Sequence, residues 1–206
     1  MTPEEIYKKL QAQFKDAIVE LHAEALDPWI EVAPEKTGEI AHFLKETPAL
    51  SFDSLMCLSG IDYGAESELG VVYHLHSMKH RHKITLRVKL ERDQPSVPSV
   101  ESVWRTADWH EREAFDLFGI QFQNHPDLRR ILCPDDWEGY PLRKDYVVQE
   151  YYHGIRVPYQ EDWEKYETFE KNPERGHFVF KFEEKVPHLV DGQKNGGNSN
   201  DKKSKE

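Results

Sequence analysis

The chain has 206 residues, 38% of them hydrophobic and 12% aromatic, and carries a formal net charge of −11. That length suits one domain with appendages, the acidic balance argues against a general nucleic-acid binder, and the lean apolar content leaves apolar surface for a partner. No apolar run reaches the roughly twenty residues of a membrane span, and two separated cysteines, Cys57 and Cys133, give no disulfide framework and suit a reducing compartment.

The opening MTPEEIYKKL has no apolar signal region and holds acids that a mitochondrial presequence avoids, so no leader of either kind is expected. Thr2-Pro3-Glu4-Glu5 is a helix start: an N-cap hydroxyl, Pro at the first helical position, then acids at the positive end of the dipole. Ile6, Leu10, Phe14, Ala17 and Leu21 follow at helical spacing and predict one helix, stopped by Pro28. Trp29 to Val32 reads as a short strand. Pro34 begins a second helix with Ile40, Phe43 and Leu44 on its face, and Pro48 ends it. Leu55 to Ile61, broken by Gly60, fits helix or strand.

The clearest hairpin comes next. Val71, Tyr73 and Leu75 alternate with His74 and His76, and a polar turn leads to Ile84, Leu86, Val88 and Leu90. Lys83, Thr85, Arg87 and Lys89 then occupy the opposite face at a period of two. Val100, Val103 and Trp104 predict a further strand, and Asp108 is a candidate cap for a helix from Trp109 to Phe118 with Gly119 as its stop. The expected fold class is α+β, with helices packed on a small, mainly antiparallel sheet over residues 1–146, followed by an extended C-terminal arm. The arm, residues 147–190, is rich in aromatics, prolines and acids without a sustained period, and only Phe178, Phe180 and Phe182 alternate; it is expected to order against a partner. Residues 191–206 form a polar, low-complexity tail that is expected to be disordered. No internal repeat is visible.

Redox chemistry lacks its parts on this chain. Iron–sulfur clusters usually require four thiolates, and neither a G-x-G-x-x-G after a strand nor a Walker loop is present. Cys57, among apolar neighbours, reads as a small core residue, and Cys133, before Pro134, as packing. His74, His76, His80 and His82 have no acid or thiol at ligand spacing and read as solvated hairpin residues. A second candidate, a free-standing metal-dependent hydrolase using His110, Glu113 and His125, is opposed by the cations Arg112, Arg129 and Arg130 in the same stretch. Pairing explains these charges with less: Arg112 and Asp116 are four apart and suited to a pair worth about 0.2–0.5 kcal/mol if exposed.

Trp109 to Tyr146 is the densest segment, WHEREAFDLFGIQFQNHPDLRRILCPDDWEGYPLRKDY. Its mixture of aromatics, arginines and acids suits a surface buried against another macromolecule. In HPDLRRIL, Pro126 opens a possible helical turn, and Arg129 and Arg130 point different ways, one toward a carboxylate and one toward a partner. The turn-rich PDDWEGYPLRKDY would be anchored by Trp137 and Tyr140. The residues expected to contact a partner or brace the domain are Glu111, Arg112, Glu113, Asp116, Phe118, His125, Arg129, Arg130, Trp137, Arg143 and Asp145; no catalytic, cofactor-binding or metal-ligating residue is assigned.

The spacing Glu111-Arg112-Glu113, Asp116-Leu117-Phe118, His125, Arg129, Ile131-Leu132, with DLFGI, HPDLRRIL and PLRKDY around it, resembles the signature of the C subunit of respiratory complex I. YHLHS, ITLRVKL and the PSV…SVW lead-in resemble that family more loosely. The resemblance implies a non-redox subunit of the peripheral arm, on the cytoplasmic side of a bacterial inner membrane, beside the D subunit near the quinone site. It further implies FMN and iron–sulfur clusters on partner subunits, none on this chain, in an assembly that passes electrons from NADH to a quinone and translocates protons. Related membrane-bound hydrogenases use similar subunits, so the resemblance fixes the type of complex more firmly than the electron donor.

Overall fold

In the computed structural model, residues 1–64 and 68–157 are described throughout, and beyond them the backbone of Thr168–Lys171 and Phe178–Lys181. Most of the expected arm and all of the tail lie outside the described residues. Two compact units divide the chain, Met1–Val147 and Val148–Glu206.

Helix α1, Pro3–Phe14, begins with a reciprocal cap: the Glu5 N–H donates to Thr2 Oγ1 and the Thr2 N–H to Glu5 Oε2. It ends earlier than its apolar stripe predicts. Lys15 turns to φ 44°, a single 3-10 turn covers Lys15–Ala17, and strand β1 runs over Ile18–His22. The β-branched Ile18 and Val19 favour extended backbone, and pairing with β2, Trp29–Val32, gives every second amide a ladder partner. Helix α2, Thr37–Glu46, follows a 3-10 turn at Pro34–Lys36, as Pro34 suggests, and buries Ile40, Ala41 and Leu44. Phe43 meets Phe14 edge-on, with ring centroids 5.4 Å apart.

Leu55–Ile61 resolves as a strand, β3, Ser54–Asp62, followed by β4, Leu69–Ser77, and β5, His82–Leu90. The sheet order is β1-β2-β5-β4-β3, antiparallel throughout except for the parallel β2–β5 pair. Leu58, Tyr73, Leu86 and Ile30 stand in one row across four strands, all buried, and form the centre of the core. A register shift between Leu55 and Cys57 turns Met56 outward. Cys57 is therefore half-buried, not a core residue, and its Sγ lies 3.3 Å from Ser59 Oγ.

Two expectations for this region need correction. His82 is buried, not solvated: its Nε2 bonds Leu50 O at 2.8 Å while its ring packs 4.7 Å from Phe52. His80 bonds Pro48 O at 2.8 Å, so these two rings fasten the segment after α2. Val100, Val103 and Trp104 do not form a strand. The amides of Val103 and Trp104 both turn back to Val100 O, and all three side chains are buried, so their apolar character reflects a core-facing turn. The strand lies just before, β6 at Ser96–Pro98, paired in parallel with β7, Gln121–Gln123.

The second unit is described in part. Among its described residues two antiparallel pairs are formed, β8–β9, Tyr151–Tyr152 with Ile155–Arg156, and β10–β11, Thr168–Lys171 with Phe178–Lys181.

Candidate functional site: a strap tied to the signature helix

Helix α3, Ala107–Phe118, carries the signature. It starts two residues earlier than Asp108 would set it, with Thr106 at the cap position and no side-chain cap. Asp108 is used elsewhere: its Oδ1 lies 2.9 Å from Arg112 Nη2 in an ion pair. The C-terminus is as expected, with Gly119 left-handed at φ 74° and its N–H donating to Phe115 O.

The helix divides its charges between two faces. Glu111, Arg112 and Asp116 are buried, whereas Glu113 and Trp109 are exposed. The expected Arg112–Asp116 pair does not form. Arg112 reaches back to Asp108 and lies over the Trp109 ring at 4.1 Å. Asp116 reaches across to a later segment, because three consecutive amides there satisfy its lone pairs better than one guanidinium on its own helix could.

That segment, residues 128–147, contains no helix or strand. Asp116 Oδ2 accepts from the amides of Ile131, Leu132 and Cys133 at 3.0, 2.6 and 2.9 Å, and Arg130 Nη1 lies 3.0 Å from Oδ1. Burial opposes ionisation of Asp116, but the three amides and Arg130 outweigh it and hold the carboxyl below its ordinary range. Arg130 also donates to Gly139 O, Arg143 Nε donates to Phe118 O at 2.7 Å, and the Leu142 amide donates to Leu117 O. The end of the strap is held by Asp62 at the close of β3, which accepts from the Lys144 amide at 2.8 Å and from Arg92 at 2.7 Å. Asp62 too is lowered, burial being overcome by the Lys144 and Gly64 amides and by Arg92. Asp145 stands 3.6 Å from the same guanidinium.

The aromatic residues complete the packing. Tyr140 lies against Gly119, where an added Cβ would stand 2.5 Å from its ring, and is flanked by the Arg143 and Arg130 guanidinium groups. Phe118 covers Gly60, with a hypothetical Cβ again 2.5 Å from the ring. Trp137 is half-buried, its amide turned to Pro134 O. Pro126 begins only a turn: its helical continuation is absent, and the Asp127 amide donates to His125 Nδ1. Arg129 and Arg130 diverge as expected, Arg130 inward to Asp116 and Arg129 to the exposed Asp127. The Cys133 thiol is pushed up by burial and by Asp116, which disfavours its thiolate.

Glu111 is the opposite of Asp116. Its oxygens accept from Ser99 Oγ at 2.6 Å and the Val100 amide at 2.7 Å. Burial pushes its carboxyl up to about 7, opposed by those two bonds and reinforced by Glu101 and Asp108. Among the described residues, no three His, Cys, Asp or Glu side chains are arranged to hold a metal, so His110, Glu113 and His125 form no such centre. Asp62, Arg92 and Ser99 are not singled out by the sequence; the only hint of Asp62 is an acid closing an apolar strand just before Tyr63-Gly64.

A small α+β domain with an irregular strap tied along one helix is thus the class of module present. Residues 30–152 match the family described as respiratory-chain NADH dehydrogenase, 30 Kd subunit, and the chain belongs to that family. It is 52% identical over 155 residues to the NADH-quinone oxidoreductase C subunit of Chloroherpeton thalassium, a match covering 74% of this chain and 64% of that protein. The corresponding C subunit of Chlorobium phaeobacteroides is 50% identical over 155 residues, covering 74% and 93%. A solved structure of the trypsin-resistant fragment (1-134) of Nqo5 superposes with a TM-score of 0.51 at 28% identity, covering 62% of this chain and all of the fragment. A chain of the membrane-bound sulfane sulfur reductase, an archaeal respiratory membrane complex, shares the fold with a TM-score of 0.58 at 23% identity, covering 70% and 85%. No helix among the described residues is long and apolar enough to cross a membrane.

Proposed function

We propose that this chain is a non-redox structural subunit in the peripheral arm of a bacterial NADH–quinone oxidoreductase, docking onto the D subunit near the quinone site through the strap of residues 128–147 and through its C-terminal arm. It acts on the cytoplasmic side of the inner membrane. FMN and the iron–sulfur clusters reside on other subunits, and this chain keeps its neighbour placed for electron transfer to quinone and the coupled movement of protons. Membership of the family and the C-subunit relatives support the assembly.

The observation that carries the docking surface is the set of aliphatic side chains that the strap leaves exposed. Its Arg130, Arg143 and amides turn inward to α3 and Asp62, while Leu132, Leu142 and Val147 are left 62%, 52% and 83% exposed. Exposed aliphatic side chains set among exposed charges such as Arg129 and Asp135 suit an apolar patch with a polar rim, covered by a second surface.

The test is a Leu132→Asp/Leu142→Asp double variant expressed within the whole operon. It should keep the melting temperature of the isolated chain, fail to enter the assembled complex, and lower NADH–quinone activity of membranes together with assembly. A complex that assembles and turns over normally would overturn this docking surface.

A further inference from the structure

Glu111 and Asp116 are both wholly enclosed acids on α3, yet only Asp116 is given a cation. The groups facing Glu111 come from four places. On its own helix, Asp108 lies nearby and Arg112 is engaged by Asp108 and Trp109. From the connection after β6 come Ser99, the Val100 amide and Glu101, the last paired with Arg105. From β4 comes the buried phenol of Tyr73, whose hydroxyl has no hydrogen-bond partner among the described residues. From the loop after β7 come His125 and, behind it, Asp127.

His125 decides how this cluster behaves. The Asp127 amide donates to Nδ1 at 3.0 Å, so Nδ1 is an acceptor and the ring proton sits on Nε2. Its Nε2–H is bonded to Asp108 O at 3.2 Å, and two carboxylate oxygens stand just beyond, Asp108 Oδ1 at 3.4 Å and Glu111 Oε2 at 3.9 Å. Only one of these belongs to a group buried without a counter-charge, and a carboxylate accepts more strongly than a carbonyl.

We propose that the ionisation of Glu111 selects the acceptor of the His125 Nε2–H: Asp108 O while Glu111 carries a proton, Glu111 Oε2 once that proton has passed to solvent. The ring turn that brings Nε2 to Glu111 draws Nδ1 away from the Asp127 amide. Asp127 is also the partner of Arg129 and stands 3.8 Å from Arg112, so the turn is felt where the strap leaves the body of the domain. Burial, which pushes the Glu111 carboxyl up to about 7, places this switch in the neutral range.

The test is an NMR titration of the full chain that follows the Glu111 side-chain carboxyl carbon, the His125 Nε2–H and the Asp127 amide. The three signals should move together with one midpoint in the neutral range. In Glu111→Gln the step should vanish from His125 and Asp127; a step that survives belongs to another group and overturns the proposal. Ser99→Ala, which removes a bond that favours the carboxylate, should move the shared midpoint upward, and this arm stands if the Gln variant does not fold. A Glu111 carbon that titrates in the ordinary carboxylate range, or one that titrates without the Asp127 amide, would also overturn it.

Discussion

Asp116 Oδ1 lies 3.0 Å from Arg130 Nη1 across a separation of fourteen residues, and the same carboxylate holds three consecutive amides on its other oxygen. Breaking a buried pair by removing one partner costs about 3–5 kcal/mol, because the remaining polar groups lose their compensation. Asp116→Ala should therefore lower the unfolding free energy of the isolated chain by about that amount, measured by urea denaturation. The lowered carboxyl contributes stability above its unfolded-state pKa, and that contribution is lost as pH falls through its folded-state value. The variant should accordingly show less loss of stability on acidification than the parent.

Arg129 and Arg130 are neighbours with different fates. Arg130→Ala removes a charge-assisted bond to a buried carboxylate and should cost roughly 1.5–3 kcal/mol in the isolated chain. Among the described residues Arg129 pairs with the exposed Asp127 alone, so Arg129→Ala should stay within about 0.5 kcal/mol of the parent. Parallel thermal or urea unfolding of the two variants checks this; equal losses would mean that Arg129 has an inward role too.

Glu111 sets a pH dependence of the opposite sign to that of Asp116. Its folded-state carboxyl is raised from 4.5 to about 7, so its stabilising contribution is complete below the unfolded value and lost as pH rises through the folded one. Glu111→Gln, which cannot ionise, should gain stability relative to the parent between about pH 5 and about pH 8. Melting temperatures of the two proteins across that interval should converge or cross; a constant difference would refute the assignment.

Gly119 combines a left-handed backbone with an aromatic ring pressed against it. Gly119→Ala should cost about 1–3 kcal/mol from the backbone alone, and more because Tyr140 must move. The accompanying loss of the Tyr140–Arg143 stack should appear as increased protease sensitivity of the strap before any global unfolding.

The hairpin from Leu69 to Leu90 is legible in the sequence because a period of two needs no tertiary information, and the Gly119 stop is legible because only a few residues tolerate that backbone. The end of α1 is not legible: the spacing of Ile6, Leu10, Phe14, Ala17 and Leu21 continues the helical period into residues that the sheet claims instead. Pattern alone likewise leaves Val100, Val103 and Trp104 ambiguous, since a buried turn and a buried strand have the same composition. At the site, sequence distance is the obstacle. Arg112 and Asp116 sit at pairing distance on one helix, yet each finds a better partner, Asp108 one turn back and Arg130 a loop away. Asp62 stands 82 residues from the Lys144 amide it holds, and no local pattern announces such a bond.

Asp116 grips main-chain amides at Ile131, Leu132 and Cys133, not side chains. Any residue except proline supplies the same donor there, so the side chains of this stretch can be exchanged without loosening the grip. The outward face can then change in step with whatever it touches, while the anchor beneath stays constant.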